Sequence, residues 1–238
     1  VEVHRLNTPT LVLLPGLLCD DRIWQTQTEA LADVAQCVIA DLSQDDSISA
    51  MAARVVQHVQ APQFCLAGHS MGGYVALELM RQAPQRVQRL ALISTQAGGD
   101  SEAVRARRLG LIELASQGRF VGVTDRLLPM LMHRTGLRDA RSVALVKDMA
   151  REIGIAGFLR QQQAILSRTN SEPFLADIQC PTLILCGEQD ALTPLAQHTF
   201  MANAIKNAQF KVMADCGHLP MLEQPAACAA TLRDWLRG

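Results

Sequence analysis

The chain has 238 residues, 49% of them hydrophobic and 4% aromatic, with 22 basic against 23 acidic side chains. That length and apolar content suit one sizeable core, while the balanced charge and scarce aromatics exclude a global field for nucleic acid or anionic membrane and argue against base-stacking platforms. Seven scattered cysteines with no Cys-x-x-Cys pair read as buried free thiols in a reducing compartment rather than a disulfide framework or a zinc site. No basic, apolar leader opens the sequence and no apolar run reaches membrane-span length, so a soluble, cytoplasmic protein is expected.

Residues 10–14 (Thr-Leu-Val-Leu-Leu) form a continuous apolar run stopped by Pro15-Gly16, as in a strand buried on both faces of a parallel sheet. Residues 23–34 have helical spacing. A second strand follows at 37–40. Asp45-Asp46-Ser47 offers N-cap chemistry for a helix over 48–59, which Pro62 closes off. The third strand, 64–67, runs into Gly68-His69-Ser70-Met71-Gly72-Gly73, and a helical pattern starts at once and reaches about Gln82. A fourth strand is expected over 87–94. Strands alternating with helices at this rhythm imply right-handed βαβ units and a parallel sheet.

Between about residues 96 and 170 the rhythm breaks, and helices are expected at 103–117, 121–132, 141–153 and 155–167. The alternation resumes with a strand at 182–186, a helix at 195–205, a strand at 209–213 and a last helix at 225–236. The simplest organisation is an α/β core made of residues 1–96 and 171–238, interrupted by a helical insertion at 97–170. That insertion carries 12 basic against seven acidic residues. Such a balance describes a solvated helical surface, or a cap offering an arginine to an anionic substrate.

Gly68-His69-Ser70-Met71-Gly72 has the Gly-x-Ser-x-Gly spacing of a nucleophile elbow. There a serine sits on a strained strand-to-helix turn, and the glycines allow close backbone approach. A serine nucleophile needs a base, a carboxylate to orient the base, and donors for the developing oxyanion. Asp190 follows the strand at 182–186 and His218 follows the strand at 209–213, each where ligands bind in open α/β sheets. Glu188 competes with Asp190, but position and length favour the aspartate. Asp215 reads as loop chemistry. His69 reads as a local packing or hydrogen-bonding residue, and His4, His58, His133 and His198 as surface or satisfied polar residues. Cys19 and Cys216 are expected near the pocket mouth without a recognisable base. No metal motif stands out, and no cofactor is expected.

Four blocks in order, Leu13-Leu14-Pro15-Gly16-Leu17-Leu18, Gly68 to Gly73, Gly187-x-x-Asp190 and Gly217-His218-x-x-x-x-Glu223-x-Pro225, resemble the α/β-hydrolase superfamily over nearly the whole chain. The resemblance implies a mostly parallel twisted sheet flanked by helices, with residues 97–170 as a cap over the active site. It implies Ser70 as nucleophile, His218 as general base and acid, Asp190 as orienting carboxylate, and the backbone N–H groups of Leu17 and Met71 as oxyanion hole.

The chain departs from the family pattern at Pro15, which stands where many members carry His, and at Asp41 to Ser47, which replaces a glycine-rich loop. A further expected departure is a shortened or missing N-terminal hairpin. The activity implied is hydrolysis of a small carboxylic ester or related acyl compound. C–C bond hydrolysis, lactone opening, thioester hydrolysis, perhydrolysis and acyl transfer use the same groups, and a non-catalytic binding module on the same scaffold is the reading from another class. The partner expected is a small acyl substrate, with neither nucleic acid nor membrane; oligomeric state is not legible.

Overall fold

The computed structural model describes residues 8–238. His4, and the segment where the N-terminal hairpin is expected to be shortened or missing, fall outside the described residues. Six strands, β1 (Thr10–Leu14), β2 (Gln36–Ile39), β3 (Phe64–His69), β4 (Val87–Ile93), β5 (Thr182–Gly187) and β6 (Ala208–Met213), form one sheet in the order β2-β1-β3-β4-β5-β6. Every pairing is parallel. Strands β3 and β5 are buried throughout, and β1 and β4 nearly so, whereas the edge strands β2 and β6 show alternating exposure. The apolar runs therefore mark interior strands covered on both faces.

The pleat divides the core in two. Val12, Leu14, Leu66, Leu92 and Ile184 point to one face and pack with residues from α2 (Ile48–His58) and α3 (Met71–Gln82). Leu11, Leu13, Ala67, Ile93 and Leu185 point to the other, where Trp24, Leu31, Leu232 and Trp235 join them. Leu31 ends α1 (Gln25–Leu31), a helix that packs against one near the C-terminus. Ser47 caps α2 as its spacing implies, its Oγ accepting the N–H of Ala50 at 3.2 Å.

The segment between β4 and β5, the expected insertion, contains α4 (Glu102–Ser116), the single turn α5 (Leu128–Leu131) and α6 (Ala140–Leu166). Only that turn is helical within the expected helix at 121–132, since Gly122 takes φ 65° and Pro129 lacks an N–H. The two helices expected on either side of residue 154 run end to end as α6, with Gly154 at φ 64° and ψ −177° interrupting the helical backbone between them. Asp100 ties this segment together: it accepts from Arg108 at 2.6 Å and Arg168 at 2.7 Å, and the Arg168 guanidinium lies 4.4 Å from the Tyr74 ring centroid on α3. After β5 come α7 (Leu195–Ala204), β6, the turn α8 (Pro220–Glu223) and α9 (Pro225–Arg237), the partner of α1. Among the described residues no helix is long and apolar enough to cross a membrane.

From β1 the chain passes to β2 on one side and later to β3 on the other, so the order reverses between β1 and β3. Open α/β sheets bind ligands outside the carboxyl ends of their strands at such a switch point. Leu17 and Leu18 follow β1 there, and Ser70 follows β3.

Candidate active site

Ser70 stands between β3 and α3 with φ 52° and ψ −115°, a conformation that L-residues rarely adopt. The turn is held from both sides. Ser70 N–H donates to the Ile93 carbonyl at 3.0 Å, and the Thr95 hydroxyl donates to the Ser70 carbonyl at 2.8 Å. Close approach explains the neighbouring glycines: a Cβ on Gly68 would collide with the Gly72 carbonyl, and one on Gly72 with the Leu14 carbonyl. The α3 N-terminus thus lies directly against the end of β1, with Ser70 at its mouth.

The Ser70 Oγ is 2.9 Å from His218 Nε2, and His218 Nδ1 is 2.9 Å and 3.0 Å from the two Asp190 carboxylate oxygens. An ionised carboxylate only accepts, so Nδ1 carries the proton and Nε2 offers its lone pair to the Ser70 hydroxyl. Asp190 also accepts the N–H groups of Leu192 and Thr193 and the Thr193 hydroxyl, at 2.7 to 2.9 Å. Burial pushes this carboxyl up, but the adjoining His218 and these hydrogen bonds outweigh it and hold Asp190 well below the usual carboxylate range. Glu188 is exposed, as is Asp215, and neither joins the array.

Two more histidines flank it. His69 is buried, its Nε2–H donates to the His218 carbonyl at 2.9 Å, and the two rings lie 5.1 Å apart. Burial, then the neighbouring His218, pushes His69 down to about 3, so it is neutral near pH 7. His198 on α7 accepts the Thr95 N–H at Nε2 (3.1 Å) and faces the Pro194 carbonyl with Nδ1 (3.4 Å); burial pushes it down to about 4. It therefore joins the Asp190–Pro194 loop to Thr95, which grips Ser70. His133 pairs with Thr135, and exposed His58 with the Arg54 carbonyl.

The His218 loop is stitched to the insertion. His218 N–H donates to the Leu131 carbonyl at 3.0 Å, and the half-buried Glu223 accepts from Gly217, Leu219 and His133 N–H groups at 2.7 to 3.0 Å. Burial keeps Glu223 above its ordinary value in spite of those donors. Across the site, Gly16 O accepts the Cys19 N–H at 3.2 Å, closing a turn with Leu17 and Leu18 at its centre, and no protein acceptor within hydrogen-bond reach takes the Leu17 or Met71 N–H among the described residues. Burial pushes the Cys19 thiol up to about 12 and raises Cys216 as well, so both stay protonated. Among the described residues no group of three or more His, Cys, Asp or Glu side chains is placed to hold a metal ion.

The α/β hydrolase fold profile matches residues 9–225. The chain belongs to the α/β-hydrolase family. It is 28% identical to a pimeloyl-[acyl-carrier protein] methyl ester esterase of Aromatoleum aromaticum, covering 98% of this chain and 100% of that one. It is 27% identical to a Serratia proteamaculans protein bearing the provisional name carbamate hydrolase RutD, covering 96% and 91%. Among solved structures, a thermophilic esterase from Thermogutta terrifontis superposes with TM-score 0.87 at 29% identity over 97% of this chain and 91% of that one. An enol-lactonase from Burkholderia xenovorans shares the fold with TM-score 0.88 at 23% identity over 98% and 92%.

Thr95, Gln161, Thr193 and His198 support the site without being singled out as site residues from sequence. Thr193 sits three residues from Asp190, but the partners of the others lie 25 to 143 residues away in the chain, which no local spacing reveals. Glu223 did leave a signal, its fixed distance from Gly217-His218.

Proposed function

We propose that this protein is a serine hydrolase cleaving a small carboxylic ester or related acyl compound, with the insertion at 97–170 acting as a cap over the site. One observation carries the reading: the unbroken array Ser70 Oγ, His218 Nε2, His218 Nδ1, Asp190 on a strained elbow at the switch point of the sheet. The esterase names of the relatives agree with it, and the carbamate named for another relative is also an acyl carbonyl bearing a heteroatom leaving group.

His218 takes the Ser70 proton as Oγ attacks the carbonyl carbon. Negative charge then develops on the carbonyl oxygen, where the N–H groups of Leu17 and Met71 receive it, each donor lowering the barrier by about 3 kcal/mol. The Met71 N–H also opens α3, so the helix dipole adds to the field there. His218 returns the proton to the leaving alcohol, the acyl group stays on Ser70, and water activated by His218 releases the acid. Asp190 keeps the imidazole in the tautomer that accepts from Ser70. No cofactor enters these steps. All seven cysteines are unpaired, which suits a reducing cytoplasm.

A fluorophosphonate probe tests this directly. The wild-type protein is expected to be labelled and Ser70→Ala not. Labelling at full strength in Ser70→Ala contradicts the assignment, and tight ligand binding without labelling or turnover supports a binding module instead. A panel of 4-nitrophenyl esters, lactones and acyl-CoA thioesters, with Ser70→Ala as blank, sorts the leaving group.

A further inference from the structure

We propose that Gln161, reaching out of the helical insertion, is a positioning residue that holds the Leu17–Leu18 peptide and so aims the Leu17 N–H at the developing oxyanion. The inference rests on the serine-hydrolase reading of the site.

The turn after β1 is strained. Its third position is Leu18 at φ 58°, a place that turn chemistry ordinarily gives to glycine or asparagine. A branched side chain there invites the central peptide to flip, which would rotate Leu17 ψ and disturb the loop carrying the Leu17 N–H. The peptide is instead held at both ends. Its N–H donates to Gln161 Oε1 at 3.0 Å, and its carbonyl faces the Cys19 thiol at 3.6 Å. The Gln161 amide is itself immobilised, since its Nε2 donates to the Leu42 carbonyl at 3.2 Å and the residue is fully buried.

The surroundings of Gln161 point the same way. It lies on α6 within one turn of the buried Phe158, Ala164 and Ile165, beside a second buried amide, Gln162, whose oxygen accepts from Arg108 at 2.9 Å. A buried polar side chain is costly unless its groups are bonded. Here both the acceptor and the donor are used, and the acceptor is spent on the residue after Leu17. Leu17 and Leu18 pack meanwhile with Ala115, Ala150 and Phe158 of the insertion. The insertion therefore braces this loop by polar and apolar contact at once, and α6 belongs to the scaffold of the oxyanion site.

A bond that aims an oxyanion donor acts in the transition state more than in substrate binding, so its loss falls on kcat rather than KM and on a ligand that mimics the tetrahedral intermediate. The test uses the full chain with 4-nitrophenyl acetate as substrate and 1,1,1-trifluoro-3-phenylpropan-2-one as tetrahedral mimic. Gln161→Met fills similar volume but accepts no strong hydrogen bond. It is expected to lower kcat about tenfold or more with KM within about twofold, and to weaken the ketone by the same factor as kcat/KM. Gln161→Glu, protonated in this buried place, keeps an oxygen for the Leu18 N–H and a donor for the Leu42 carbonyl and should recover most of the loss. Unchanged kcat and ketone affinity in Gln161→Met, or a loss confined to KM, overturns the proposal. Should Gln161→Met not fold, Gln161→Asn, with the same groups one methylene shorter, must show the same parallel loss; a folded Gln161→Asn without it also overturns the proposal. Failure of the underlying reading looks different: Ser70→Ala would then keep wild-type turnover whatever Gln161 does.

Discussion

Along the middle of the sheet, Leu11 to Leu14, Phe64 to Ala67 and Leu90 to Ile93 are buried apolar side chains in ordinary extended backbone. At the carboxyl side of that sheet Asp190, His218, His69 at the end of β3 and His198 on α7 are buried polar groups, and Leu18, Ser70, Ser94 and Asp215 all take positive φ. These four are the non-glycine residues at positive φ among the described residues. The interior concentrates apolar burial, and the carboxyl edge concentrates strain and charge. Strain persists where surrounding structure over-determines it, and here Ile93, Thr95 and Gln161 do so. The two regions should therefore fail differently when mutated. Edge substitutions should remove rate and leave the fold, and interior substitutions should do the reverse.

Asp190→Asn probes the edge most severely. It replaces one carboxylate oxygen with an NH2 donor that favours the wrong His218 tautomer, and ester hydrolysis should fall by about 10⁴ while the thermal midpoint at pH 7 changes far less than that loss of rate suggests. Retention of more than a tenth of wild-type kcat would show that the carboxylate does not orient the base. Leu66→Ala probes the interior. Leu66 is fully buried on β3, so urea unfolding should show a loss of about 2–5 kcal/mol, with kcat/KM per folded molecule near wild type. A Leu66→Ala protein of unchanged stability but impaired turnover would erase the distinction between the two regions.

A smaller effect sharpens the comparison through pH. The unfolded chain protonates His198 near 6.5 and the folded chain near 4, so between those values the unfolded state binds more protons. Stability is then complete above 6.5 and declines as pH falls, by roughly 2 kcal/mol at pH 5 from this residue alone. His198→Gln should flatten that part of the curve in urea titrations at pH 7 and pH 5. Identical slopes in the two proteins would mean that His198 gains its proton as easily folded as unfolded.

Much of the fold was legible because interior parallel strands must be apolar on both faces, as Leu11 to Leu14 and Phe64 to Ala67 are. The elbow motif at Ser70 was legible because such a turn needs small residues at fixed spacing, and Asp190 and His218 stood out because they follow strands; the structure brings the three side chains together. The insertion was less so. The apolar pattern at 121–132 reads as a helix, yet Leu128 and Met132 join the core cluster from a chain that is helical over only one turn. Tertiary packing, not helical periodicity, set those positions. The buried amide of Gln161 was illegible for a different reason: its partners, Leu18 and Leu42, lie more than a hundred residues away.

The central claim is that Ser70 carries the acyl group between two half-reactions. The most direct measurement is peptide mass mapping of enzyme quenched in acid during turnover of 4-nitrophenyl acetate. An acetyl group on the peptide containing Ser70, absent in Ser70→Ala, is the predicted result. Acetylation confined to another residue, or undiminished turnover by Ser70→Ala, would contradict it.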